Sequence, residues 1–310
     1  MRGLRRFAAA LLGFAVPFGA GELWLQAVDP YHFGEKEDWS QYGAKIMDPA
    51  TGRLRPGAVA TYLGTTTRIS SQGWRSPEFA VPKPPDVFRV LLLGGSVPFG
   101  WGVEQGDEFP RVVERLLNER RAAGAKRVEV INTGVPGWKL HDEGKLLLTE
   151  GFGWQPDLVL LLLVATDAPG HVTQQRSFFL DERLRRCRLL RAIENRYVFD
   201  SPGSGGESYD AYAHIPERGL DLVVQYLGLF AQHCETAGVR LVVVDTLNVP
   251  RVRERCAQLG LHRIEGYTAW TLRRSWEVAV TDAHPNAEGH RYYARLIVDG
   301  LSPALFRSKR

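Results

Sequence analysis

One serine and a pair formed by an aspartate and a histidine are the residues whose types and spacing point to chemistry. Ser96 follows the apolar run Val90–Leu93 and two glycines, and Asp282 and His284 lie two positions apart near the end of the chain. A histidine can take the proton of a serine hydroxyl, and an aspartate can hold that histidine in the tautomer that does so. These three residues therefore predict acyl-transfer chemistry at a serine nucleophile.

The element that must position Ser96 is predicted to be a buried strand of a parallel sheet. An uninterrupted apolar run such as Val90–Leu93 is typical of a strand that is covered on both faces. The glycines place Ser96 in a turn at the carboxyl end of that strand, the edge at which α/β sheets bind ligands. Further strands are expected over 128–131, 158–164 and 239–244, and helices over 107–123, 141–149, 181–196 and 217–237. This alternation predicts an α/β fold with a parallel sheet.

The serine and the histidine belong to a series of short motifs. The series comprises SQGWRS at 71–76, LGGS at 93–96, FGWGV at 99–103, VINTGVPG at 130–137, QPDLVL at 155–160, ATD at 165–167 and DAHPN at 282–286. In order and spacing, this series resembles the SGNH (GDSL-type) family of esterases and acyl hydrolases, in the branch that carries an N-terminal hydrophobic segment. The resemblance extends from residue 71 to the C-terminus.

The resemblance implies a fold, an activity and a set of site residues. The implied fold is a three-layer α/β/α sandwich with a central parallel sheet, in a flavodoxin-like arrangement. The implied activity is serine-dependent ester hydrolysis without a cofactor, with Ser96 as nucleophile, His284 as base and Asp282 as the acid that orients the base. The backbone N–H groups of Ser96 and Gly137 would form the oxyanion hole, and Thr166 stands where the family has a side-chain donor.

Two positions depart from the pattern of the family. Gly95 replaces an aspartate, and Thr166 replaces an asparagine whose side-chain N–H stabilises the oxyanion. Loss of one oxyanion donor lowers a rate by about 10²–10³. Three interpretations therefore stay open: hydrolysis of a small-molecule or glycan ester, acetyl or other acyl transfer to an envelope polysaccharide, and carbohydrate binding by a catalytically weak protein of this fold.

The chain is expected to have three parts. Residues 1–28 begin with arginines and continue as an apolar run, which predicts a signal anchor or a cleaved signal peptide. The enzyme would be anchored in the membrane and face the periplasm or the exterior, or be secreted after cleavage; a buried N-terminal helix of a cytosolic protein is the alternative. Residues 29–86, rich in Gly, Pro, Asp and Thr, predict an irregular extension packed on the core. Residues 87–310 would form the SGNH-like domain, with an insertion at about 171–216.

The composition narrows the range of partners. The 39 basic and 35 acidic residues give a net charge of +4, and much of the excess lies at the two ends of the chain. A nucleic-acid-binding protein usually shows a basic face, so nucleic acid is not an expected partner. The histidines show no metal-ligand spacing, so no metal is expected. Cys187, Cys234 and Cys256 leave open one disulfide and one free thiol, and the oligomeric state is left open as well.

Overall fold

The computed structural model describes residues 2–28, 39–124, 126–169, 187–194, 215–266, 276–279 and 282–306. Within these ranges the helices are α1 (Arg2–Val28), α2 (Trp39–Ile46), α3 (Ser96–Phe99), α4 (Phe109–Glu119), α5 (Leu140–Thr149), α6 (Arg188–Glu194), α7 (Glu217–Thr236), α8 (Pro250–Gln258) and α9 (Ala287–Gly300). The strands are β1 (Met47–Asp48), β2 (Arg53–Leu54), β3 (Val59–Tyr62), β4 (Thr65–Arg68), β5 (Val87–Leu93), β6 (Arg127–Asn132), β7 (Leu158–Leu163), β8 (Arg240–Asp245), β9 (His262–Glu265), β10 (Glu277–Ala279) and β11 (Asp282–Pro285). Short 3-10 helices cover Gly151–Trp154, Ala165–Asp167 and Pro303–Phe306.

A parallel sheet of five strands lies at the centre of the described structure. Its strand order is β6-β5-β7-β8-β9, and every neighbouring pair is parallel. β5 is the first strand of this sheet along the chain. β6 lies on one side of β5, and β7, β8 and β9 follow on the other side. Open α/β sheets bind ligands at such a switch point, outside the carboxyl ends of the strands. Ser96 follows the carboxyl end of β5 at this switch point.

Helices cover both faces of the sheet because the strands carry apolar side chains on both faces. Leu91 and Leu93 of β5 point into the core that α5, α7 and α8 complete. Val90 and Leu92, which alternate with them, point into the core that α4 and α9 complete. These layers confirm the predicted α/β/α sandwich with a central parallel sheet.

The segment that precedes β5 packs against the core through short hairpins and aromatic rings. β1 pairs with β2 and β3 pairs with β4, both antiparallel. The ring of Trp101, in the loop after α3, lies 4.9 Å from the ring of Tyr42 and 5.1 Å from that of Tyr62, measured between centroids. The extension is therefore in contact with the loop that leaves the Ser96 helix.

Several expectations differ from the structure or lie outside its described part. The helix predicted over 107–123 ends at Glu119, because the chain turns there and Arg121 adopts a positive φ of 49°. None of the three cysteines is in a disulfide, so the disulfide that the sequence left open does not form. Most of the expected insertion at 171–216, including much of its predicted helix, lies outside the described residues. Among the described helices, none is long and apolar enough to span a membrane.

Candidate active site

The structure brings Ser96 and His284 into direct contact. Ser96 is the first residue of α3, which follows β5 after two glycines, and His284 lies in β11. The Nε2 atom of His284 and the Oγ atom of Ser96 are 2.7 Å apart, within hydrogen-bonding distance. When the hydroxyl donates, Nε2 is the unprotonated ring nitrogen, which is the tautomer that a general base needs. Residues 188 positions apart thus form a nucleophile–base pair.

The position of His284 is fixed from two sides. On one side β11 pairs with β10 and leads into α9, which Asn286 caps by accepting hydrogen bonds from the backbone N–H groups of Glu288 and Gly289, at 3.0 and 3.2 Å. On the other side the ring of Trp101 lies 5.7 Å from the His284 ring, measured between centroids. The imidazole is therefore held between a capped helix and an aromatic ring.

The acid of the predicted triad is only partly placed. The backbone of Asp282 belongs to β11, where it pairs with Ala279, but its side chain lies outside the described part of the structure. Asp245, another aspartate at the carboxyl edge of the sheet, is fully engaged. Its Oδ1 accepts hydrogen bonds from the backbone N–H groups of Leu247 and Asn248, and its Oδ2 accepts one from Arg263 Nε at 2.7 Å. Asp245 is thus a structural residue, and Asp282 stays the predicted acid.

Gly137 lies in a tight turn next to the loop that carries Ser96. The backbone N–H of Trp138 donates to Val135 O, with Pro136 between them and Gly137 at a φ of +85°. These are the features of a type II turn, in which that position needs a positive φ and therefore favours glycine. Among the described residues, the Gly137 N–H donates to no acceptor. Its use in an oxyanion hole, which the resemblance implies, stays a prediction.

The loop that carries Gly137 is held tightly against the Ser96 helix. Asn132, fully buried at the end of β6, donates from Nδ2 to Pro98 O at 2.7 Å and accepts from the Gly134 N–H at 3.0 Å. A Cβ atom at Gly134 would lie 2.4 Å from the Phe99 backbone nitrogen, so only glycine allows this approach. Asn132 is part of the VINTGVPG motif, but sequence reasoning gave it no role.

Gly95, one of the two departures from the family pattern, has a steric explanation. A Cβ atom at this position would lie 3.1 Å from Trp138 O, which is closer than side chains normally come. An aspartate here would therefore have to push the Trp138 carbonyl away by a few tenths of an ångström. The glycine lets the nucleophile turn close against the loop that carries Gly137.

Thr166, the other departure, lies in the 3-10 helix directly after β7 and is exposed. Its carbonyl oxygen accepts a hydrogen bond from Nζ of Lys139, the residue that precedes α5. Since β5, β6 and β7 are neighbouring parallel strands, the loops that carry Ser96, Gly137 and Thr166 meet at one edge of the sheet. The use of the Thr166 hydroxyl as an oxyanion donor stays a prediction.

A buried arginine from the N-terminal extension fixes the loop that carries Trp101. Arg75 is fully buried, and its guanidinium donates to the carbonyl oxygen of Gly100 and, at 2.6 Å, to that of Val103. It also lies over the Phe99 ring, 5.2 Å from the centroid. Arg75 is part of the SQGWRS motif at 71–76, but sequence reasoning gave this arginine no role.

His290, on α9 six residues after His284, is a structural residue. It is fully buried, and its Nδ1 accepts a hydrogen bond from the Phe109 N–H at 3.0 Å. Burial, together with the charges of Arg75 and His284, lowers the pKa of His290 to about 3. His290 is therefore neutral in the working range of an enzyme and takes no part in proton transfer.

Comparison with known proteins gives matches to solved structures alone. No protein-family model and no curated protein matches the chain. The chain is similar to a lipase/acylhydrolase from Enterococcus faecalis, at 19% identity over 68% of this chain and 93% of that one, with a TM-score of 0.44. It is also similar to an esterase from Pseudoalteromonas, at 11% identity over 69% and 96% with a TM-score of 0.43. An acetyl-xylooligosaccharide esterase from Geobacillus gives 14% identity over 71% and 97%, with a TM-score of 0.42.

Proposed function

We propose that this protein is a serine esterase that hydrolyses a small-molecule or glycan ester through Ser96 and His284. The observation that carries the proposal is the 2.7 Å contact between Ser96 Oγ and His284 Nε2 at the switch point of a parallel sheet. A histidine in that position can remove the hydroxyl proton as the oxygen attacks a carbonyl carbon. No cofactor is needed for this chemistry.

The proposed reaction has two halves. In the first, Ser96 Oγ attacks the ester carbonyl while His284 Nε2 takes its proton, and the N–H groups of Ser96 and Gly137 stabilise the oxyanion. The tetrahedral intermediate collapses, the alcohol leaves with the proton from His284, and an acyl-enzyme remains. In the second half, His284 takes a proton from water as the water oxygen attacks the acyl carbon. The intermediate then collapses, the acid leaves, and His284 returns the proton to Ser96 Oγ.

Labelling with a fluorophosphonate probe tests this proposal, because only an activated serine reacts with it. We expect the wild-type protein to be labelled and the Ser96→Ala variant to stay unlabelled. Ser71→Ala is the matched control, since Ser71 is exposed and lies in the extension, and this variant should be labelled like the wild type. An unlabelled wild-type protein that folds and binds a glycan would overturn the esterase and favour the binding protein.

The same two side chains could also transfer an acyl group to a sugar hydroxyl in place of water. The distinction is made by product analysis: an esterase releases acetate from an acetylated glycan, whereas a transferase moves the acetyl group from a donor ester to an unmodified glycan. We propose hydrolysis, because a water molecule can reach an acyl group on Ser96, which is only half-buried.

The Thr166 position offers a graded test of the oxyanion site. An oxyanion hole with N–H groups from Ser96 and Gly137 alone should stabilise the intermediate less than one with a third donor, by about 3–4 kcal/mol. Thr166→Asn is therefore expected to raise kcat for a short-chain ester severalfold or more, and Thr166→Ala to lower it only if the hydroxyl already donates. If Thr166→Asn lowers kcat and Thr166→Ala leaves it unchanged, Thr166 serves substrate fit or packing instead.

We further propose that residues 1–28 form a targeting segment that places the enzyme at the outer side of the membrane. The support is the arginine-rich start followed by an apolar run. The full-length protein is expected to sediment with membranes and to be digested by protease added from the outer side, or to be secreted without its first residues. A version without residues 1–28 should be soluble and keep its activity. Recovery of the full-length chain, with Met1 intact, from the cytosol would exclude this location.

A further inference from the structure

Two buried carboxyl groups lie behind the Thr166 turn, and the esterase mechanism does not use them. Glu143 on α5 and Asp167 at the end of the turn have exposed fractions of 1% and 2%. Both oxygens of Glu143 and the Oδ1 atom of Asp167 have no hydrogen-bond partner in the described part of the structure. The start of α5 lies against the Thr166 turn, because Lys139 directly before α5 hydrogen-bonds to Thr166 O. Buried polar atoms are almost always paired, so these three unpaired oxygens require an explanation.

The fourth carboxyl oxygen of these two groups, Asp167 Oδ2, holds the turn that carries Thr166. Asp167 Oδ2 accepts a hydrogen bond from the Val164 N–H at 2.8 Å, and Lys139 Nζ donates to the carbonyl of Thr166 between these two residues. The turn that carries Thr166 is thus held by the side chain of Asp167 from within and by Lys139 from the neighbouring loop. Whatever moves Asp167 will therefore move Thr166.

Electrostatics favour a protonated pair. Burial raises the pKa of Glu143 well above its usual range, and the nearby charges of Asp167 and Asp142 raise it further. Burial raises the pKa of Asp167 to about 7, although the Val164 N–H and the Lys139 charge act in the opposite direction. On α7, which packs against α5, the hydroxyl of Tyr226 lies 3.2 Å from Nδ1 of His141. Two interacting like charges are unfavourable in a buried site, so the groups titrate together.

We propose that Glu143 and Asp167 share a proton and that this protonated pair positions the Thr166 turn at the edge of the active site. With one proton held by the pair, the two groups carry a single negative charge at most, which a buried site can hold. When the pair releases the proton to solvent, two buried carboxylates repel each other and Asp167 moves, with Val164 and Thr166. Glu143 and Asp167 are positioning residues, and their link to catalysis rests on the esterase function proposed above.

The proposal predicts the direction in which the stability of the protein changes with pH. At neutral pH the folded pair holds a proton that the unfolded chain has released, because the folded pKa values are raised. The stability of the wild type therefore falls as pH rises from the ordinary carboxyl range through the raised pKa values of the pair. Glu143→Gln replaces the shared proton with an amide N–H that stays at every pH, so its stability should fall less.

The test compares the wild type with Glu143→Gln between about pH 5 and about pH 9. The melting temperature of the wild type should fall more steeply over this range than that of the variant. Hydrogen exchange of the Val164 amide, corrected for its intrinsic pH dependence, should accelerate at high pH in the wild type alone. The fluorophosphonate labelling rate of the wild type, relative to the variant, should fall by about tenfold toward the alkaline end.

Two further variants keep the test decisive. Asp167→Asn also supplies a permanent N–H between the two groups and serves if Glu143→Gln fails to fold. Glu119→Gln changes an exposed carboxyl on α4 and should behave like the wild type. If the melting temperature and the Val164 exchange rate depend on pH in the same way in the wild type and in the pair variants, the shared proton is overturned. If the labelling rates have the same pH profile in these proteins, the positioning role is overturned. Absence of labelling in all proteins would instead refute the esterase function, while melting and exchange still decide the pair.

Discussion

Ser96→Ala, His284→Ala and the double variant are all expected to lower kcat for a short-chain ester by a similar factor, about 10⁴–10⁶. The two side chains form one proton-transfer unit, joined by the 2.7 Å contact, so losing either one removes most of what both contribute. Steady-state kinetics of the three proteins measure this directly. Melting temperatures should stay near that of the wild type, because the Ser96 hydroxyl is at the rim and its loss opens no cavity.

Additive losses would contradict this prediction. If the factor by which the double variant lowers kcat equals the product of the factors of the two single variants, the two residues act independently and the contact is not a nucleophile–base pair.

Asp282→Asn should lower kcat less than either single variant, by about tenfold or more. A larger loss of kcat in Thr281→Ala than in Asp282→Asn would place the orienting group elsewhere. Asp245→Asn should mainly lower the melting temperature, because Asp245 holds Arg263 and two backbone N–H groups.

The sequence predicted those parts of the site that have a local signature. The strand before Ser96 is a run of apolar residues, so it could be predicted from a few neighbouring residues. The parallel order of the strands then brought the serine to the correct edge of the sheet. These predictions needed periodicity and turn residues alone.

The parts that sequence reasoning missed depend on contacts between distant residues. Asn132 bonds to a carbonyl 34 positions away, and Arg75 to carbonyls 25 and 28 positions away. Glu143 is on a helix whose polar residues would normally face solvent, yet the packing of α5 against the sheet buries it behind the Thr166 turn. Nothing in the spacing of these polar residues distinguishes a buried partner from an exposed one. Their roles become visible only when the burial and the hydrogen bonds are known.

Arg75→Met is expected to lower the free energy of unfolding by about 3–5 kcal/mol and, in the protein that remains folded, to lower kcat as well. The substitution leaves the buried carbonyl oxygen of Val103 without a donor and leaves that of Gly100 with only the 3.3 Å hydrogen bond from the Val103 N–H. It also removes the positive charge that opposes the raised pKa of the buried Glu108. The loop freed in this way carries Trp101, whose ring contacts His284. Chemical denaturation and kinetics at a temperature where the variant is fully folded measure the two effects separately.

Arg68→Ala is the matched control, because Arg68 is an exposed arginine of the same extension, and it should change stability and kcat little. Arg75→Lys should fall between the wild type and Arg75→Met, since one ammonium can reach a carbonyl but cannot bridge two with the geometry of a guanidinium. A loss of stability with kcat unchanged in the folded variant would mean that Arg75 supports the fold without positioning His284. A loss of both, graded from lysine to methionine, would show that an arginine from the N-terminal extension holds the base of the active site in place through Trp101.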